Sequence, residues 1–325
     1  MFENYRKFET TLAGRPFSVE TGKMAQLTNG HCLVRYGDTA VMANVTASRT
    51  PREGVDFFPL SVDFEEKLYS VGKIPGGYNK REGKPTEAAI LTSRMIDRPI
   101  RPLFPADLRN DVSVVTTVLS DDQDNDPGIC ALIGASIALS ISDVPWGGPI
   151  AGVWLGLGPD GNYLINPTVA ERENSQMHVT VAGTKEKIVM IEAGANEVDE
   201  DVMLNGLIHA HGVIKELCEF IEGIKAEIGK EKMSYEAHDI DHEIYDKIKE
   251  TEYDNICYAL DTDDKNIRDA RIGEITDRII ENMGEEYENL SEQLGEILYK
   301  MQKEIVRDWL YKGRRVDGRG LNEIR

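Results

Sequence analysis

The chain has 325 residues, 41% of them hydrophobic, which is enough for two domains that each bury a core. Its formal net charge of −20 repels polyanions at long range, which excludes non-specific attraction to nucleic acid or to anionic lipid. No run approaches the roughly 18 apolar residues of a membrane helix and the first residues lack a secretory signal, so we expect a soluble, cytoplasmic protein with no membrane partner.

The first 65 residues show short alternating runs separated by turns, which is the pattern of strands. The clearest runs cover residues 17–20, 32–35 and 40–45. Tyr36-Gly37-Asp38-Thr39, between the last two runs, predicts a hairpin turn. We expect these strands to belong to an antiparallel or mixed sheet.

A first helix is predicted from Thr86, whose side chain caps it, to about Arg98, because Pro99 cannot continue a helix. A strand is predicted at 112–119. The segment 129–140 is small and apolar nearly all round, which predicts a buried helix.

Further strands are predicted at 150–157, 163–165, 177–182 and 188–192, followed by a long amphipathic helix over 203–228. Residues 156–161 match the pattern G-x-G-x-x-G, but a strand follows where a dinucleotide site needs a helix, so we predict a hairpin. The α+β class, with some βαβ character, is therefore expected up to about residue 228. After that, the sequence shows helices alone and is acidic.

Metal and redox sites are not predicted in this chain. The four cysteines lie far apart without a Cys-x-x-Cys pair, so they indicate reduced, mostly buried thiols. His209 and His211 point to different faces of a helix. The acidic turn at residues 122–126 resembles the start of a calcium loop, but Pro127 stands where that loop needs glycine. We expect a solvated acidic turn there, and no catalytic triad is apparent from spacing.

Residues 73–101 form a basic island on this acidic chain, with seven basic and three acidic residues, a net charge of +4. Its first part is a glycine-rich loop in which Lys80 and Arg81 offer phosphate contacts and Tyr78 offers a ring for base stacking. A flexible, solvated hairpin tip explains the same pattern equally well.

The second part of the island carries Arg94 and Arg98 one helical turn apart, with Arg101 shortly after them. Fixed guanidinium groups on one edge suit phosphate oxygens. The alternative is internal pairing with Glu87 and Asp97, which we expect for at least one of the three arginines.

Five segments together resemble one family, the bacterial polynucleotide phosphorylases (polyribonucleotide nucleotidyltransferases), in its N-terminal half. They are Glu20-Thr21-Gly22-Lys23-Met24-Ala25, Asp56-Phe57-Phe58-Pro59-Leu60, Gly72-Lys73-Ile74-Pro75-Gly76, Arg94-Met95-Ile96-Asp97-Arg98-Pro99-Ile100-Arg101-Pro102-Leu103-Phe104-Pro105 and Ile133-Gly134-Ala135-Ser136.

The resemblance implies a ribonuclease PH-like core of βαβ units, similar to domain 2 of ribosomal protein S5, followed by a small all-α domain. We expect the core in two parts, 1–145 and 146–230, the helical domain at 231–312 and the start of a second core at 313–325. The family assembles as trimeric rings with a central channel for RNA, so a homo-oligomer and single-stranded RNA are the expected partners, with RNA-degradation complexes as possible further ones.

The resemblance also implies site residues. The loop positions Tyr78, Asn79, Lys80 and Arg81 correspond to those that guide RNA at the channel constriction. The family more often has two aromatic residues there, so Asn79 implies weaker stacking. With Arg94, Arg98 and Arg101, these residues form the predicted RNA-binding set.

The family degrades mRNA from its 3′ end by phosphorolysis, releases nucleoside diphosphates and uses Mg²⁺ or Mn²⁺. The resemblance places this chemistry in the second core, which follows Arg315-Val316-Asp317-Gly318-Arg319 and is expected to be missing here. Where that core has a serine-rich phosphate turn, this chain has four aspartates: Asp121, Asp122, Asp124 and Asp126. Gln176 and His178 stand in place of metal carboxylates.

We therefore expect no catalytic residue and no metal in this chain, which should guide RNA and oligomerise for an exoribonuclease active elsewhere. Two alternatives stay open at this point. The lone core retains exonuclease activity, or it serves only as an assembly module whose basic island is structural.

Overall fold

The computed structural model describes residues 2–52, 54–55, 57–237, 240–287 and 289–324. The chain separates into two compact units, Met1–Ala237 and His238–Arg325. The finer division at residues 145, 230 and 312 stays a prediction. Asp56, in one of the segments that carry the resemblance, and Arg325, the last residue of the predicted fourth segment, lie outside the described residues.

A six-stranded sheet forms the first half of the larger unit. Its strands are β1 (Arg6–Leu12), β2 (Arg15–Thr21), β3 (Gly30–Tyr36), β4 (Thr39–Ala47), β5 (Leu60–Glu66) and β6 (Val112–Ser120). They lie in the order β1-β2-β3-β4-β6-β5, and only the β5–β6 pair is parallel. Tyr36 pairs with Thr39 across the tight turn, which confirms the predicted hairpin.

A second sheet of four antiparallel strands follows. Its strands are β7 (Ala151–Leu157), β8 (Tyr163–Ile165), β9 (Met177–Gly183) and β10 (Ile188–Ala195), in the order β10-β9-β7-β8. Gly161 N donates to Gly158 O at 3.0 Å and closes the turn between β7 and β8. The prediction of a hairpin at 156–161 is confirmed.

The described residues of this unit also form four α-helices: α1 (Glu87–Ile100), α2 (Pro127–Ile141), α3 (Val169–Glu173) and α4 (Glu200–Ile228). Every residue of α2 after Pro127 is buried, as its apolar composition predicts. Helix α2 packs against β3 and β4 of the first sheet and against β7 of the second. It therefore joins both sheets into a single hydrophobic core.

The end of α1 corrects one prediction. Helix α1 does not stop near Arg98 but includes Pro99, which is buried inside it, and ends at Ile100. A proline lacks only its own N–H, so it removes a single hydrogen bond from the helix. Beyond Pro99 the helical hydrogen bonding is present again, because the N–H of Arg101 donates to the carbonyl of Asp97.

The smaller unit contains three helices within the described ranges: α5 (His242–Leu260), α6 (Lys265–Met283) and α7 (Leu290–Tyr311). Their apolar stripes meet in a separate core that includes Ile248, Ile256 and Ile297. This matches the predicted all-helical region. Among the described helices of both units, none is long and apolar enough to span a lipid bilayer.

The cysteines agree with their predicted role. Cys32, Cys130 and Cys218 are buried free thiols, and Cys257 is half-buried. Burial raises the pKa of Cys32 to about 12, so this thiol stays protonated and unreactive at neutral pH.

Candidate nucleic-acid interface

The glycine-rich part of the basic island forms a loop between the end of β5 and the start of α1. A short 3₁₀ helix, Leu68–Val71, leads into it and ends at Gly72, whose φ of 72° is left-handed and therefore suits glycine. The loop ends at Thr86, the predicted N-cap of α1, whose hydroxyl accepts a hydrogen bond from Ala89 N at 3.1 Å. Both ends of the loop are thus fixed to regular structure.

Leu68 is bonded to both limbs of this loop. Its carbonyl accepts a hydrogen bond from Lys73 N at 2.9 Å. Its N–H donates to Glu82 Oε1, also at 2.9 Å. Residues 73–82, which we call the guide loop, are therefore closed at their base by a single residue. The sequence had shown Glu82 only as one acid within a basic island.

The tip of the guide loop presents its side chains to solvent. The Tyr78 side chain is fully exposed, at 102% of its reference area. Lys80 N donates to Gly77 O at 3.0 Å, and Lys80 has a φ of 49°, an uncommon backbone conformation for a lysine. Asn79, Lys80 and Arg81 are exposed. Neither Lys80 nor Arg81 makes a salt bridge to any residue that the structure describes.

The arginines of α1 behave differently from one another. Arg101 forms a two-pronged ion pair with Asp97, at 2.9 Å and 2.8 Å, and also donates to Leu60 O at 3.2 Å. This confirms the expectation that at least one arginine pairs internally. Arg98 pairs with Glu192 on β10, a partner that the sequence did not indicate.

Arg94 is exposed and has no ion pair among the described residues. Among the predicted RNA-binding residues, the cations without an ion pair in the described structure are therefore Lys80, Arg81 and Arg94. Arg98 and Arg101 are already neutralised by carboxylates, which weakens their attraction for phosphate. The RNA-binding role of all seven predicted residues stays a prediction.

Family models match most of the chain. Residues 13–145 match domain 1 of the 3′ exoribonuclease family, and residues 148–213 match domain 2. The chain belongs to the 3′ exoribonuclease family. Residues 243–320 match a third model, described as the RNA binding domain of polyribonucleotide nucleotidyltransferase. The predicted ribonuclease PH-like core and the helical region after it are confirmed.

Relatives within the 3′ exoribonuclease family carry the name polyribonucleotide nucleotidyltransferase. The protein of Ruminiclostridium cellulolyticum is 54% identical over 322 residues, which cover 99% of this chain and 46% of that protein. The protein of Clostridioides difficile is 57% identical over 265 residues, which cover 82% of this chain and 37% of that protein. The resemblance drawn from the sequence is confirmed, and the chain spans about half the length of the curated relatives it matches.

A solved structure of rice (Oryza sativa) Rrp46 is similar to the larger part of this 3′ exoribonuclease family member. It aligns with a TM-score of 0.52 and 13% identity, over 69% of this chain and 96% of the rice chain. At this identity the likeness supports the fold alone.

The acidic turn before α2 is built into the fold. The carboxylate of Asp126 accepts a hydrogen bond from Ile129 N at 2.9 Å, and burial raises the pKa of Asp126. Asp122 accepts from Asp38 N at 3.0 Å and from Asn125 N at 2.8 Å. Burial alone would raise the pKa of Asp122, but these hydrogen bonds outweigh it and lower the pKa. The expectation of a merely solvated turn was wrong for these two residues.

Helix α3 lies against the same turn. Val169 N donates to Asp124 Oδ1, and Arg172 Nη2 donates to the carbonyl of Gln123, both at 3.4 Å. At the start of α2, the helix end that attracts anions, the Ile129 amide is already bonded to the Asp126 carboxylate of the chain itself. This arrangement does not fit a phosphate-binding turn.

Metal-binding groups do not assemble either. Across the described residues, no three His, Cys, Asp or Glu side chains lie close enough together to hold a metal ion. The ring of His178 packs edge-on against Trp154 with centroids 4.4 Å apart. The residues at this place therefore do not fit a magnesium or manganese site.

Proposed function

We propose that this chain holds single-stranded RNA for a protein that degrades RNA from its 3′ end by phosphorolysis and releases nucleoside diphosphates. The tip of the guide loop carries the proposal. It presents a fully exposed ring at Tyr78 beside Lys80 and Arg81, two cations without an ion pair in the part of the chain that the structure describes, and the net charge of the chain is −20. Cations and a stacking ring within four residues are the groups that proteins use to bind single strands.

The physical contributions of these groups differ. A base stacked on Tyr78 contributes about 1–3 kcal/mol whatever its identity, because every base has a π-face. Lys80 and Arg81 contribute through phosphates, and this part weakens as salt rises. Asn79 adds no stacking surface. The contact is therefore insensitive to the base sequence of the RNA. A strand that slides past the loop requires this.

The arginines of α1 take unequal parts in this proposal. Arg94 has no ion pair among the described residues and adds a further phosphate contact. Arg98 and Arg101 contribute less, since each must leave a carboxylate partner before it can bind a phosphate. Exposed ion pairs of this kind are worth at most about 1 kcal/mol, so the exchange is accessible.

Catalysis, in this proposal, belongs to a second core outside these 325 residues, together with Mg²⁺ or Mn²⁺. Two observations support it. Asp126 caps the start of α2, so this place does not fit a phosphate, and the chain spans about half the length of its curated relatives. The whole protein is proposed to be a cytoplasmic homotrimer that contributes to mRNA degradation, with partners in RNA-degradation complexes.

The experiment compares Lys80→Gln/Arg81→Gln with the unchanged chain. Binding of a labelled 20-nucleotide oligo(A) is followed by fluorescence anisotropy over a range of salt concentrations. Each lost phosphate contact lowers the salt slope by about 0.7, which is a factor of about 5 in affinity at 0.1 M salt. The double variant should bind about 25-fold more weakly, with a slope shallower by about 1.4.

A matched control removes the same charge elsewhere. Lys187 and Lys265 are both exposed, so Lys187→Gln/Lys265→Gln should leave affinity and slope nearly unchanged. Equal RNA binding by the loop variant and by this control would contradict the proposed role of the loop and favour a purely structural one.

A further inference from the structure

The second half of α7 carries two aromatic and two basic side chains on its exposed face. Tyr299, Lys303, Arg307 and Tyr311 follow one another at intervals of four residues, and we call them the α7 stripe. Tyr299 is 63% exposed and Tyr311 is 86% exposed. At 1.5 Å per residue, the stripe extends over about 18 Å. Residues four apart lie on the same side of a helix, so the four side chains form one continuous track.

The basic groups of the α7 stripe are available for a ligand. Lys303 and Arg307 are exposed, and in the described ranges neither forms an ion pair. The ammonium group of Lys303 lies 5.2 Å from the ring centre of Tyr299, at the distance of a cation–π contact. This contact holds the cation beside the ring without neutralising it.

The acidic groups nearby are already engaged. Glu304 accepts a hydrogen bond from the Tyr245 hydroxyl at 2.7 Å and lies 3.4 Å from Lys249 Nζ. Asp308 pairs with Lys312 at 2.6 Å. Their charges are therefore largely compensated, and the free charge along the stripe is positive.

The first half of the same helix carries opposite charge. Glu292 and Glu296 are exposed on the outward face and repel a polyanion. The stripe is thus a bounded basic and aromatic sector at one end of an otherwise acidic helix. A solvated helix face in an acidic domain does not require two large, exposed rings at this spacing.

We propose that the α7 stripe is a second contact for single-stranded RNA. Rings take up bases and the intervening cations take up phosphates, which is the chemistry of a stacking platform with an electrostatic track. The family model that covers residues 243–320 is described as an RNA binding domain, which agrees with this assignment. The inference rests on RNA as the proposed ligand and goes beyond the guide loop.

The test uses the same labelled oligo(A) and the whole 325-residue chain. Lys303→Gln/Arg307→Gln should lower affinity about 25-fold at 0.1 M salt and make the salt slope shallower by about 1.4. Tyr299→Ala/Tyr311→Ala should lower affinity at least about 25-fold, about fivefold for each ring, with the salt slope unchanged, because stacking does not involve counterions. Glu292→Gln/Glu296→Gln, on the same helix face, is the matched control and should not weaken binding.

A second measurement keeps the test independent of any effect on folding. RNA containing 4-thiouridine is cross-linked to the unchanged chain by light, and the adducts are located by mass spectrometry. Adducts within residues 299–311 are expected. Their absence, or equal competition by poly-glutamate and poly(A), would overturn the inference and leave a non-specific polyanion surface.

The two proposals fail in distinguishable ways. Weak RNA binding by the guide-loop variant with normal binding by both stripe variants would overturn this inference and leave the proposed function intact. Normal RNA binding by the guide-loop variant with weak binding by both stripe variants would support the contact on α7 and contradict the contact at the guide loop. Normal RNA binding by all of these variants would contradict both the guide-loop proposal and the α7 stripe proposal.

Discussion

Replacing Glu82 by alanine removes the only acceptor that Leu68 N has in the described structure and so opens the base of the guide loop. The hydrogen bond of 2.9 Å joins an ionised carboxylate to a backbone amide, but it is exposed to solvent. A net contribution of about 1 kcal/mol is appropriate for such a bond. Lengthening the closed segment by a few residues adds only a few tenths of a kcal/mol, because loop-closure entropy grows with the logarithm of length.

A loss of about 1 kcal/mol changes the open-to-closed ratio of the loop about fivefold. Hydrogen exchange at the Leu68 amide should therefore accelerate about fivefold in Glu82→Ala. RNA affinity should fall by no more than this factor, because only the population of the binding-ready loop changes.

The Glu82→Gln variant separates the effect of the lost hydrogen bond from the effect of the lost negative charge. Its amide oxygen still accepts from Leu68 N, while the negative charge near Lys80 and Arg81 is gone. The glutamine variant should keep slow exchange at Leu68 and bind RNA at least as tightly as the unchanged chain. If Leu68 exchanges equally fast in all three proteins, Glu82 does not hold the loop and the reasoning is refuted.

Two further predictions concern pH and activity. Burial and the charge of Lys230 lower the pKa of His31. Its Nε2 accepts a hydrogen bond from Gly22 N at 3.1 Å. The folded state therefore binds a proton at His31 less readily than the unfolded state does below pH 6.5. Stability should fall as pH drops below that value, and His31→Gln should show a smaller fall in Tm between pH 7.5 and 5.5; an equal fall would exclude His31 as a cause. Incubating the chain with labelled poly(A), inorganic phosphate and magnesium should release no nucleoside diphosphate, and appreciable ADP release would support the lone core as an enzyme.

Local signals in the sequence predicted much of the fold. Alternation placed β3 and β4 and the turn between them, and the apolar character of residues 129–140 predicted the burial of α2. The Arg101–Asp97 pair lies one turn apart on a helix, which is a spacing that the sequence shows directly. Each of these features depends on neighbours in the chain.

Features that depend on distant residues could not be predicted in this way. Arg98 pairs with Glu192, 94 positions away, and Glu82 bonds to a backbone amide in a different segment. Pro99 lies inside α1 because the surrounding core buries it, which overrides its local tendency to end a helix. The α7 stripe was not predicted, because its net charge depends on which nearby acids are paired with residues of other turns and other helices.

The cap on α2 has a consequence for how this chain can change. A helix end that is already bonded to Asp126 offers little affinity to an external anion. Replacing that aspartate alone would remove the cap and cost about 0.5–2 kcal/mol of stability, which only a bound ligand could offset. Asp122 and helix α3 hold the same turn in place. An external anion could therefore bind at this helix end only after several coordinated substitutions, each of which is unfavourable by itself.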